Sequence, residues 1–420
     1  MKALFLCSAN PSHDKGTAVN IVMAALLEAA RENHRVYWIC AQPAGPRDHE
    51  LENAWTEMGI ERVGDWTSET RTLPTARPWS TLMALRHAFF PKEGDDYPRF
   101  RNPREIAKRI DILNVDRIVF FWDTIFEQVL PYLKNRSTIY YAARPTYAAP
   151  LARINTETAG TLRQKLRRYL GRRILAHRRD RHLRLAATAS KIANICAVDA
   201  KMYCETGISC DYMPNTWPDN FGDDWREKRQ REESSRPYIG ILGNISGVEN
   251  TGNVFGMRYL AERILPLLED EIGDQNWRIR ITGGGVLADD LTAAFTHPRI
   301  DITGFVDDLD EEILANSIFL LLNNAGPYSG GYTRVIYAMS SGACLIAHRR
   351  LAESMLEVVH GHNALLGESA EEIAALVGKA ARDETFRRQI AVNARETYEK
   401  LYRPAIIVQR LLEQTAPAHG

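Results

Sequence analysis

The chain reads as an α/β protein of two domains, each a parallel sheet covered on both faces by helices, and three observations predict this. At 420 residues it is too long for one ordinary hydrophobic core. Short apolar runs suited to buried strands alternate with helical stretches, and that alternation implies parallel sheets. The series also starts twice, once at Lys2 and again at Tyr238. Ligands of such sheets bind beyond the carboxyl ends of the strands, so two domains facing each other are expected to enclose a central cleft.

In the first half, Lys2 to Ser8 suits a buried parallel strand. Val19, Val22, Met23, Leu26, Leu27 and Ala30 then recur at helical spacing, and "HRVYWICA" supplies the next strand. "DRIVFFWD", "STIYYAA" and "LAATAS" read as later strands of the same domain. An irregular insertion rich in proline, arginine and aromatic residues occupies 64–104. The charged segment 218–236, with little apolar content, reads as a linker ending domain 1–217. In the second half "YIGILGN", "WRIRITG", "RIDITG" and "IFLLLN" are strands. Helices "NVFGMRYLAERILPLLEDE", "LADDLTAAF" and "DLDEEILANS" lie between them. The stretch "PYSGGYTRVIYAMSSGACLIAH" follows as a glycine-rich loop, a helix and a buried strand.

Bulk composition narrows the function classes. Apolar content of 45% and charged content of 25% suit a soluble globular protein. With 53 basic and 53 acidic residues no global field recruits nucleic acid. Six cysteines without a C-x-x-C pair argue against a zinc site or a disulfide framework and read as thiols of a reducing cytoplasm. "MKALFLCSAN" reads as a first strand rather than a signal peptide. No apolar run approaches the roughly 20 residues of a membrane-spanning helix. The expected location is the cytoplasm, with peripheral attachment at the inner face of the membrane.

Four motifs carry candidate chemistry. In the first loop, Gly16 before a helix lets backbone N–H groups approach an anion, and Lys15 adds charge; Gly16 as a plain turn residue is the alternative. Gly283, Gly285 and Ala288 fit G-x-G-x-x-A after a strand, with Asp301 following, as in an NAD-linked oxidoreductase; a tight strand-to-helix turn is the preferred explanation. Segment 162–184 interleaves arginine and lysine with leucine and Tyr169, as an anionic membrane or acceptor surface would require, or as a plain solvated face would show. Nucleic acid is disfavoured because no stacking platform accompanies the cations. The opening glycine-rich stretch offers Ser329, Gly330, Gly331 and Thr333 for N–H and hydroxyl contacts, and Arg334 as a forked cation for a diphosphate.

From Tyr238 to Gly367 these residues resemble the donor-binding half of GT-B glycosyltransferases, specifically the group-1, retaining-type class. "NPSHDKGTAVNIVMAALLEAARENHRVYWICA" is similar to the first loop and helix of bacterial exopolysaccharide-associated sugar transferases. The resemblance implies a GT-B fold of two Rossmann-like domains, with a nucleotide-diphosphate sugar held mainly by 237–398 and the acceptor by the first domain. The closing helix within 399–420 would cross back to the first domain. It further implies that Gly304, Phe305 and Val306 face the nucleobase, and that Gly243, Asn244 and the loop Ser329 to Arg334 hold the diphosphate. Where the family commonly has two glutamates eight positions apart, this sequence has Ser329 and Tyr337. Near the end of "STIYYAA" it has Ala143, Arg144 and Pro145 in place of the expected histidine or aspartate.

The implied activity is metal-independent transfer of a hexosyl group, with the donor as substrate and no cofactor. Arg334 and backbone N–H groups would stabilise the departing diphosphate. Asp123, at the end of "RIVFFWD", is the candidate base for an inverting reaction, with His13 and Asp14 as others; a retaining reaction needs none. The expected acceptor is a saccharide or lipid-linked saccharide in envelope or exopolysaccharide synthesis. A non-catalytic GT-B scaffold is the alternative from another class.

Overall fold

The computed structural model describes residues 1–7, 17–40, 49–65, 68–69, 88–89, 99–100, 103–133, 137–145, 147–148, 150–151, 154, 160–232, 238–243, 251–273, 277–285, 289–326 and 330–413. The chain divides into two compact units, Met1–Met213 with Ile407–Gly420, and Pro214–Ile406.

The first unit is built on a seven-stranded sheet. Its strands are β1 (Lys2–Cys7), β2 (Arg35–Cys40), β3 (Ile60–Asp65), β6 (Arg117–Phe121), β7 (Thr138–Ala142), β8 (Lys191–Asn194) and β9 (Asp211–Tyr212), in spatial order β3-β2-β1-β6-β7-β8-β9. Every neighbouring pair is parallel, with Leu4 opposite Tyr37 and Ile118. Burial on both faces explains the near-continuous apolar runs of β1, β2 and β7. Within the region read as an insertion, β4 (Ser68–Glu69) and β5 (Arg99–Phe100) form an antiparallel pair.

Two expectations differ here. "LAATAS" is not a strand: Leu185 and Ala186 end a 25-residue helix, Leu162–Ala186, and β8 begins afterwards at Lys191. Small apolar residues suit a buried helix end as well as a strand, and periodicity over six residues cannot separate them. The segment read as a linker also carries the helix Trp225–Glu232, in which Trp225 and Arg229 are buried within the second unit.

The second unit holds a six-stranded parallel sheet in the order β12-β11-β10-β13-β14-β15. These are β10 (Tyr238–Leu242), β11 (Arg278–Thr282), β12 (Ile300–Gly304), β13 (Ile318–Leu321), β14 (Cys344–His348) and β15 (Leu365–Gly367). Its core gathers Ile239, Ile241, Ile279, Ile281, Ile318, Leu320 and Trp277, all at most 5% exposed. The long helix expected after β10 is interrupted. Helix Thr251–Tyr259 passes through a π-helical turn, Leu260–Ile264, into Leu265–Ile272. Pro266 removes a backbone N–H and crowds the carbonyl four residues earlier, which the wider turn accommodates. All six cysteines are free, five of them buried.

Candidate functional site

In an open parallel sheet the ligand crevice lies where strand order reverses, beyond the carboxyl ends. In the second unit this point lies between β10 and β13. Arg334, in the first turn of helix Thr333–Ser340, reaches into it. Its Nη1 donates to the Leu242 carbonyl at the end of β10, and its Nη2 donates to Asn253 Oδ1 at 2.8 Å. A small cavity of about 20 Å³ beside it is lined by Gly243, Asn253, Asn323 and Arg334. Burial lowers the Arg334 pKa to about 10, still well above neutrality. Both of these acceptors are neutral oxygens. No carboxylate pairs with the guanidinium among the described residues.

The glycines around this cation have steric reasons to be there. Gly243 and Gly283 have φ of 145° and 143°, a region open essentially to glycine. A Cβ on Gly243 would strike the Arg334 guanidinium, and one on Gly283 would strike the Gly243 carbonyl. The turns interlock through Gly243 N–H donating to the Thr282 carbonyl at 2.9 Å and Gly283 N–H donating to the Gly304 carbonyl at 2.8 Å. Close backbone approach thus accounts for Gly283 without a dinucleotide.

Gly304, at the end of β12, precedes Phe305, whose ring is 87% exposed. Beneath that turn lies a polar cluster that the sequence reading missed. The buried Glu312 carboxylate pairs with Arg280 at 2.7 Å and accepts from Thr282 Oγ1 at 3.1 Å, while Thr282 and Thr303 hydroxyls lie 2.9 Å apart. Alternation of Arg280 and Thr282 on one face of β11 was the available signal.

Tyr337, expected at the donor site from its place in the glycine-rich stretch, is bonded within the second unit. Its hydroxyl donates to Asp310 Oδ1 at 2.6 Å, and Asn220 Nδ2 approaches both Asp310 oxygens at 3.1 and 3.0 Å. The ring is buried against Trp217 and Phe221, with centroids 5.0 and 6.0 Å away. Burial, then the Asp310 charge, raises its pKa well above the ordinary tyrosine value, so the phenol keeps its proton and acts as donor. The interaction ties segment 217–221 to helix Leu309–Ala315.

Gly330 and Gly331 lead into Thr333, the first residue of the Arg334 helix, whose N-cap Tyr332 supplies no side-chain cap. Val306 follows Phe305 and is partly buried. Lys15, Gly16, Asn244 and Ser329, with His13, Asp14 and Ala288, lie outside the described residues.

In the first unit, strand order reverses between β1 and β6. Asp123 begins the helix Asp123–Val129 directly after β6, which places it at that switch point. Its neighbour Trp122 has φ 71° and ψ 168°, a conformation rare for any residue with a side chain, and its N–H donates to the Tyr141 carbonyl at 3.2 Å.

Comparison with known proteins completes this geometry. Residues 236–383 match the family profile described as Glycosyl transferases group 1. A search of curated proteins finds no match. Among solved structures, Anabaena HepE in complex with UDP and glucose is 15% identical with a TM-score of 0.60, covering 98% of each chain. Sucrose-phosphate synthase from Thermosynechococcus elongatus is 14% identical with a TM-score of 0.61, covering 98% of this chain and 97% of that one. TarM is 9% identical with a TM-score of 0.64, covering 98% of each. The chain therefore has the GT-B fold, two parallel-sheet α/β units, and residues 236–383 are similar to the group-1 glycosyltransferase profile.

Proposed function

We propose that the protein is a glycosyltransferase that takes a nucleotide-diphosphate sugar as donor. The carrying observation is Arg334: a partly buried cation at the switch point of the second unit, bonded among the described residues to neutral oxygens only. A diphosphate supplies the missing negative charge, and Arg334, the Gly330–Gly331 turn and the first N–H groups of the helix would stabilise it as it departs. That HepE has been solved with UDP and with UDP-glucose supports the reading.

The finer assignments follow from the family resemblance. The donor is a substrate, no metal is required, and a hexosyl group is transferred. Phe305 and Val306 lie against the nucleobase, and Asp123 takes the acceptor proton if configuration is inverted. The acceptor is a saccharide or lipid-linked saccharide of the cell envelope or an exopolysaccharide, made on the cytoplasmic side.

A thermal-shift panel of UDP, GDP, CMP and NAD tests this, since a ligand stabilises the native state by RT ln(1 + [L]/Kd). A nucleoside diphosphate should raise the melting temperature. No response to any of them leaves a non-catalytic scaffold, and a response to NAD alone supports an oxidoreductase.

A further inference from the structure

The helix Leu162–Ala186 presents an outer face that the donor site does not use. Leu162, Leu166 and Tyr169 are 85%, 41% and 52% exposed. At 100° per residue, these three and Arg173 fall within about 60° of arc, while the buried Leu175, His182 and Ala186 lie on the opposite side. Arg173 extends the stripe by stacking its guanidinium 4.6 Å from the ring of Phe89, itself 44% exposed. Ala88 is clipped to the helix through its carbonyl, which Arg173 Nε and His177 Nε2 approach at 3.2 and 3.1 Å.

Charge flanks this stripe on both sides. Arg163 and Arg167 stand on one side and Lys165 on the other, all exposed, and none has an ion-pair partner among the described residues. No Asp or Glu occurs between Gly160 and Arg179. The first turn carries no acidic residue to favour the helix N-terminus, and its cations oppose the macrodipole. The Thr161–Gln164 capping box holds the end instead.

We propose that this face docks on an anionic lipid bilayer, with Leu162, Leu166, Tyr169 and Phe89 entering the boundary of the acyl chains and Arg163, Lys165 and Arg167 reaching the headgroups. A bilayer supplies both anions and hydrocarbon within one side-chain length, whereas a soluble polyanion answers only the charges. The inference stands apart from the donor site, because its readout is lipid binding.

The test is sedimentation of the full chain with phosphatidylcholine vesicles, with and without phosphatidylglycerol. Binding should require phosphatidylglycerol and weaken with salt. Replacing Arg163, Lys165 and Arg167 together by Gln should weaken it about 100-fold, at roughly five-fold per cation. Leu166→Ser with Tyr169→Ser should weaken it at least about ten-fold. Tyr169→Trp should show a blue-shifted emission on adding anionic vesicles only. These positions are exposed, so the far-ultraviolet circular dichroism of each variant should match that of the parent. Absence of binding to anionic vesicles overturns the proposal. So does vesicle binding that is indifferent to Leu166 and Tyr169 and is reproduced by polyphosphate, which would mark a polyanion surface instead.

Discussion

Arg334 and Arg395 lie in the same unit and are treated in opposite ways. Arg395, 1% exposed, is held by Asp219 at 2.8 Å through two nitrogens, by Glu399 at 2.8 Å and by the carbonyls of Ser340 and Gly222. Burial acts to lower its pKa, and the two carboxylates outweigh that and raise it. Arg334 meets only a backbone carbonyl and an amide oxygen, and burial lowers its pKa. The first arginine is a completed structural joint fastening segment 219–222 to helix Glu384–Leu401. The second retains a charge that no described residue answers, which is the arrangement a diphosphate site needs.

The largest expected effect breaks the completed joint. Arg395→Met removes the bidentate partner of Asp219, leaving Arg403 at 3.1 Å, and should cost about 3 kcal/mol in a denaturant melt. Nucleotide affinity of the folded fraction should stay unchanged. Arg334→Ala should do the reverse, lowering turnover by about 10²–10³ with a smaller loss of stability. Gly283→Ala should cost about 1–3 kcal/mol through its disallowed backbone angle and the collision with the Gly243 carbonyl, read as a fall in melting temperature. Tyr337→Phe should cost about 0.5–1.5 kcal/mol, the net worth of one hydrogen bond, because Asn220 still reaches Asp310; a large loss of donor affinity instead would return Tyr337 to the binding site. The smallest effect sharpens the comparison through pH. Burial raises the pKa of Asp219, but Arg395 outweighs it and the net shift is downward. Its stabilisation is therefore full above the ordinary carboxylate pKa and is lost as pH falls through the depressed value. Asp219→Asn should flatten this acid limb of the stability curve.

Much of this was legible in the sequence, for identifiable reasons. Strands buried on both faces must be continuously apolar, so β1, β10 and β13 announced themselves; two parallel-sheet α/β units followed from the alternation, and the GT-B fold from the family resemblance. The position of Arg334 at a helix start after a Gly-Gly turn was readable, but its bonds to Leu242 and Asn253 were not. Partners distant along the chain were not readable. Tyr337 bonds Asp310, 27 positions earlier, and its place in the glycine-rich stretch says nothing of that. Composition also misled in 218–236, where Arg229 is buried and donates to the carbonyls of Ser341 and Asn316 at 2.9 and 2.8 Å. A charged run that binds carbonyls looks the same in sequence as one that faces water. Asp123 was readable only as a position at a strand end, and its switch-point location needed the strand order β1-β6.

The most direct test of the unmatched-cation account is calorimetric titration of UDP and GDP into the parent chain, Arg334→Lys and Arg334→Ala, each verified as folded. The account predicts that at least one nucleoside diphosphate binds the parent, binds the lysine variant more weakly and does not measurably bind the alanine variant. Equal affinity for the parent and Arg334→Ala would contradict it.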